Sequence, residues 1–207
     1  MSNVLFVKAN DRPAEQAISV RMYDAFLNAY KEANPNDTIA ELDLFAENIP
    51  HYGNVTMTAL YKSAQGYPLT EEEQAAAAVA GKYLDQFLAA DKVVFAFPLW
   101  NYTAPSPLIS YISYLAQAGK TFKYTEQGAV GLAGDKKVAL LTARGGIYSE
   151  GPMADVESAV RPIKAVLRMI GIQAEEIAIE GHNQFKDRAA TIIAEGLEAT
   201  AKVAAGF

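Results

Sequence analysis

The chain has 207 residues, 51% hydrophobic and 20% charged, which excludes disordered and fibrous classes and suits one α/β domain with a full core. The net charge is −6 and the 18 Lys and Arg residues are scattered, which argues against nucleic acid and against a helix resting on anionic membranes. With no cysteine, disulfides, thiolate metal sites and a cysteine nucleophile are ruled out.

Met1 to Val7 runs into an apolar stretch with no basic segment before it and no small-residue cleavage site after it. No signal peptide and no bilayer-spanning stretch is expected, and cytoplasm is the expected compartment. Val4 to Val7 reads as a strand buried on both faces. From Ala17 to Ala33 apolar residues recur at three and four, predicting an amphipathic helix that Asn34-Pro35-Asn36-Asp37 stops. Thr38 to Leu44 alternates like a half-covered strand. Residues 50–69 read as a surface excursion around a weakly helical stretch. Thr70 followed by Glu73 is a capping box for the helix that comes next.

Val93 to Phe97 is the third buried strand. Pro98 to Pro107 is a loop, and Pro107 suits the first turn of a helix running to Ala118. Val138 to Thr142 is a fourth strand, and a helix is predicted from about Met153 to Ile170, closed by Gly171. A fifth strand within Ile172 to Glu180 and a last helix from Lys186 to Ala204 complete the pattern. Such alternation predicts a parallel sheet with helices on both faces, and residues 1–207 read as one domain.

Ligands of open doubly wound sheets sit outside the carboxyl ends of the strands, where strand order reverses. Three segments fall there. After the first strand come Asn10 and then Ala17-Ile18-Ser19 at a helix start, where free amides make an anion site. Neither G-x-G-x-x-G nor G-K-[ST] is present, so a monophosphate suits this loop better than a dinucleotide or a triphosphate. Ser19 reads equally as a plain helix cap. After the third strand, Pro98-Leu99-Trp100-Asn101-Tyr102 combines a stiff loop, a large ring and an amide, fit to hold a planar heterocycle or to form an ordinary Pro-rich turn. After the fourth, Ala143-Arg144-Gly145-Gly146 lets a backbone approach a ligand edge, or is a simple turn. Arg144 could place a positive charge near a reduced cofactor or pair with a surface carboxylate. Together the three loops suit a phosphate-bearing flat ring, and FMN has that shape. His51 and His182, the two histidines, read as solvated or capping residues, and no spacing suggests a metal site.

Several segments carry a family resemblance: Lys8-Ala9-Asn10, Phe97-Pro98-Leu99-Trp100-Asn101, Gly119 to Thr125, Ala143 to Tyr148, and Glu180-Gly181. In order along the whole chain, they resemble the FMN-dependent NADH-azoreductases. The resemblance implies a flavodoxin-like, doubly wound five-stranded parallel sheet of order 2-1-3-4-5 and a homodimer with FMN sites at the interface. It implies that Asn10, Ala17, Ile18 and Ser19 hold the FMN phosphate. Pro98, Leu99, Trp100, Asn101 and Tyr102 line the ring, and Ala143, Arg144, Gly145 and Gly146 take its pyrimidine edge. Several relatives carry serine where this chain has Asn10 and Ala17, which shifts phosphate binding onto backbone amides and Ser19.

The implied activity is ping-pong reduction of azo dyes and quinones by NADH or NADPH, with no side-chain acid required. Trp100, Tyr102, Phe122 and Tyr148 are candidate stacking residues, or core packing. Three alternatives stay open: a quinone or nitro-compound reductase with incidental azo activity, a flavodoxin-type electron carrier, and a binding protein without turnover.

Overall fold

The computed structural model describes residues 1–207. Five strands, β1 (Asn3–Lys8), β2 (Thr38–Asp43), β3 (Lys92–Pro98), β6 (Lys137–Arg144) and β7 (Ala174–Glu180), form one parallel sheet in the order β2-β1-β3-β6-β7. Counted within that sheet, this is the expected 2-1-3-4-5. A two-stranded antiparallel hairpin, β4 (Phe122–Thr125) and β5 (Gly128–Gly131), stands apart from it.

Alternation along each strand decides which helices cover which face. Val4 and Phe6 point one way, where Met22, Phe26 and Tyr30 of α1 (Ile18–Ala33) meet them, flanked by α6 (Ala189–Ala205). Leu5 and Val7 point the other way, into a larger cluster with Phe87 of α3 (Glu71–Ala89), Tyr111 of α4 (Ser106–Leu115) and Ile163 of α5 (Val160–Met169). The excursion at 50–69 contains α2 (Asn54–Gln65), which packs on α3. The capping box is present: Thr70 Oγ1 accepts from the Glu73 amide at 3.2 Å, and Glu73 Oε2 accepts from the Thr70 amide at 2.9 Å.

Two expectations need correction. The helix predicted from Met153 begins instead at Val160, after a single 3-10 turn at Ala154–Val156. Pro162 explains the late start. It has no amide to donate and its ring clashes with the preceding turn, so it is tolerated only in a first turn. Glu157 closes that end, its Oε1 accepting from the amides of Ala159 (2.9 Å) and Val160 (2.8 Å). The hairpin was the other omission: two four-residue strands, the second opening on Gly128 at φ +119°, are too short to show a period.

β1 has β2 on one side and β3 on the other, so chain direction across the sheet reverses between β1 and β3. Pro98 pairs with Ala143 in the register of β3 and β6, which brings their carboxyl ends level beside this switch point.

Candidate active site

Above those carboxyl ends lies a crevice of about 440 Å³, a size typical of small-molecule sites. It is lined by Asn10, Ala17, Ile18 and Ser19 from the β1–α1 connection, by Pro98, Leu99 and Trp100 after β3, and by Ala143 and Gly145 after β6. A second cleft of about 350 Å³ adjoins it through Leu99, Gly145 and Asn183, and adds Asn101, Tyr102, Gly146 and Tyr148. Three loops far apart in sequence therefore meet as expected.

The α1 end is built for an anion. Ala17 occupies the N-cap position with no side chain to offer, and the Ile18 and Ser19 amides donate to no protein group. Ser19 Oγ accepts from Asn10 Nδ2 at 2.9 Å, which leaves its own proton to donate toward the crevice. Asn10 Oδ1 is taken by the Arg12 amide at 3.0 Å. Asn10 thus orients Ser19, with both ends of its amide engaged.

After β3, Trp100 and Thr103 exchange two backbone hydrogen bonds of 2.9 Å around Asn101 and Tyr102, whose φ angles are +49° and +67°. Paired positive φ values mark a type I′ turn, which favours asparagine first and glycine second. A tyrosine in the left-handed region costs about 1–2 kcal/mol. Such retained strain marks functional loops. The amides of Asn101 and Tyr102 bond no protein acceptor, and the Tyr102 ring meets that of Tyr148 edge-on at 6.2 Å.

After β6, the glycine carbonyls turn inward. Gly145 O accepts from the amides of Asn183 (2.9 Å) and Gln184 (3.1 Å), and Gly146 O from that of Gly181 (3.2 Å). Their own amides are left without protein partners. A Cβ on Gly145 would lie 2.6 Å from Asn183 Nδ2, so any larger residue would push that side chain aside.

Two candidates reach neither cleft. Arg144 follows Ala143 in the strand and so faces the opposite side of the sheet. There its 3% exposed guanidinium pairs with Glu176 and lies 3.5 Å from Glu180. Its paired-carboxylate alternative is the one realised. Burial works against the ionised form of Glu176, but Lys164 at 2.6 Å and the Arg144 charge outweigh it and hold its pKa below the usual glutamate range. Stability from the ionised carboxylate is therefore full above that range and lost as pH falls through the lower folded value. Glu176→Gln is expected to lower the thermal midpoint at neutral pH and to converge with the parent in acid. Parallel midpoint-versus-pH profiles would refute this. Phe122 packs instead beside a separate cleft with Leu60 and Tyr61, against Tyr124.

The structure adds residues that local pattern does not reveal. His182 and Asn183, after β7, line the crevice with Arg12, Arg21 and two α6 residues, Ala189 and Ile193. Burial holds the His182 imidazole below the usual histidine range, and its Nδ1 is buried with no partner. Position after a fifth parallel strand was the available signal. Free amides, an orienting Asn10 and Ser19 pair, stiff aromatic walls and a glycine cradle fit a flat heterocycle carrying a phosphate.

A family model described as flavodoxin-like fold matches residues 2–203. The chain is 59% identical to an FMN-dependent NADH:quinone oxidoreductase of Brevibacillus brevis and 61% identical to FMN-dependent NADH:quinone oxidoreductase 3 of Bacillus cereus, with 100% of each chain covered. Its structure is similar to the crystal structure of an azoreductase from Bacillus anthracis, with a TM-score of 0.98 at 60% identity and 100% coverage of both chains. It is similar also to an FMN-dependent NADH-azoreductase of Bacillus anthracis in complex with FMN, with a TM-score of 0.85 at 29% identity, covering 99% of this chain and 100% of that one.

Proposed function

This chain belongs to the flavodoxin-like family of FMN-dependent NADH:quinone oxidoreductases, and we propose that it uses NADH to reduce quinones and azo compounds at the crevice above. The convergence of unpaired amides from the β1, β3 and β6 connections on two adjoining clefts carries this reading. When bound there, FMN supplies the redox chemistry between nicotinamide and acceptor.

The protein binds, orients and shields. The amides of Ile18 and Ser19, at the positive end of α1, and the Ser19 hydroxyl hold the phosphate. Leu99 and Trp100 wall the ring. With FMN bound, the unpaired amides of Gly145 and Gly146 would be donors to negative charge on the ring. The Asn101 and Tyr102 amides are further donors. Tyr102 and Tyr148 offer an aromatic edge to a flat acceptor. One cleft serves donor and acceptor in turn, so ping-pong kinetics follow. A quinone consumes one NADH, and cleavage of an azo bond to two amines consumes two. NADH as donor makes the cytoplasm the working compartment; no helix is long and apolar enough to cross a membrane.

A homodimer belongs to this reading. Tyr61, Tyr124 and Leu132 are exposed apolar residues that support contact with a second copy.

Purified protein is expected to be yellow or to take up FMN at micromolar concentration. NADH alone should then bleach that flavin under argon, and menadione should sustain NADH consumption. A colourless protein that refuses FMN overturns the reading. Bound FMN that NADH cannot bleach without a partner protein makes the chain an electron carrier.

A further inference from the structure

Between Arg144, which ends β6, and Ala154 the chain has no helix or strand, and it begins with two glycines. Backbone of that kind has no stiffness of its own. Yet this segment carries the Gly145 and Gly146 amides at its start and the Tyr148 ring shortly after. The glycine carbonyls are bonded to the 181–184 turn, Gln184 Oε1 accepts from the Ile147 amide at 3.0 Å, and a single carboxylate holds the next two residues. Glu180 Oε2 accepts from the amides of Tyr148 at 3.0 Å and Ser149 at 3.2 Å, while Oε1 accepts from the Ser149 hydroxyl.

Glu180 is itself braced from behind. Arg144 Nη1 lies 3.5 Å from Oε2, and its other arm pairs with Glu176, which Lys164 of α5 holds at 2.6 Å. The row alternates in sign from Lys164 through Glu176 and Arg144 to Glu180, so the buried guanidinium has charge partners on both sides. None of the four lines the main crevice.

Given an FMN in the crevice as proposed above, we propose that Glu180 is a positioning residue that locks the 145–149 loop with its glycine amides turned toward the ligand, and that Arg144 holds Glu180 in place. Donors fixed in advance stabilise charge without a cost of ordering at the moment of binding. Loosening the loop taxes FMN binding, and it weakens the stabilisation of negative charge on the reduced ring.

The test compares the parent with Glu180→Ala, Glu180→Gln and Arg144→Lys. Apo-protein is titrated with FMN by fluorescence quenching, and the midpoint potential of the bound flavin and the thermal midpoint without FMN are measured. Glu180→Ala is expected to weaken FMN binding roughly tenfold and to make the potential more negative. Glu180→Gln keeps an acceptor for the amides but loses the charge for Arg144, and should fall between. Arg144→Lys should shift Kd and potential in the same direction if Glu180→Ala does not fold. Unchanged Kd and potential in the variants that fold, whatever their thermal midpoint, overturn the positioning role while the FMN reading stands. A parent that binds no FMN overturns both.

Discussion

Gly131→Ala is expected to destabilise the apo-protein by about 3 kcal/mol or more, lowering its thermal midpoint by roughly 10 °C. Gly131 ends β5 directly against Gly171, which closes α5 at φ +99°. A Cβ there would fall on the Gly171 nitrogen and Cα and on the Ile170 carbonyl carbon, all backbone atoms, so no rotamer change relieves it. The segment must lift. That would break the 2.9 Å hydrogen bond from the Ala133 amide to Ile170 O and draw the 1% exposed Ala133 out of the core. Gly81→Ala, in the interior of α3 with nothing within 4 Å, is the internal control. It should stabilise by about 0.5–1 kcal/mol through helix propensity. The same added methyl then acts with opposite signs at two places. Equal thermal midpoints for the two variants would show that hairpin and helix end are not in such close contact.

The three central strands, β1, β3 and β6, were readable as short apolar runs bounded by turn residues, and the three candidate loops were readable because they follow such runs. Arg144 shows where pattern was available and went unused. Once Ala143 is assigned to the crevice, the period of a strand sends Arg144 to the other face, where α5 and β7 supply Lys164 and Glu176. The start of α5 was equally legible, since Pro162 cannot stand nine residues inside a helix. His182 and Asn183 are different. Nothing local distinguishes them from a polar turn, and they line the same crevice as Asn10 and Ser19 because β7 lies beside β6 and α6 beside α1. The I′ turn at Asn101 and Tyr102 was also hidden. Its second position holds a tyrosine where turn chemistry asks for glycine, so the residue that breaks the rule sits at the proposed site.

Ala17→Asp separates fold from function by moving them in opposite directions. Ala17 has the extended backbone of an N-cap, φ −136° and ψ 104°, but no side-chain acceptor. Aspartate is among the best residues for that position, and replacing a non-capping residue by it should stabilise α1 by about 1 kcal/mol, helped by the helix dipole. The new carboxylate would satisfy the Ser19 amide, one of the donors assigned to the phosphate, and would set a negative charge beside the dianion. A charge-assisted hydrogen bond lost from the ligand is worth about 1.5–3 kcal/mol, and like-charge repulsion adds to it. FMN affinity should therefore fall by roughly a hundredfold while the apo-protein melts at an equal or higher temperature. Ala17→Asn, isosteric and neutral, should stabilise similarly and weaken FMN binding by less, which isolates the repulsion. The measurements are an FMN titration and a melting curve for each variant. If Ala17→Asp binds FMN as tightly as the parent, the phosphate does not lie at the amino end of α1, and the assignment of that end of the crevice is wrong.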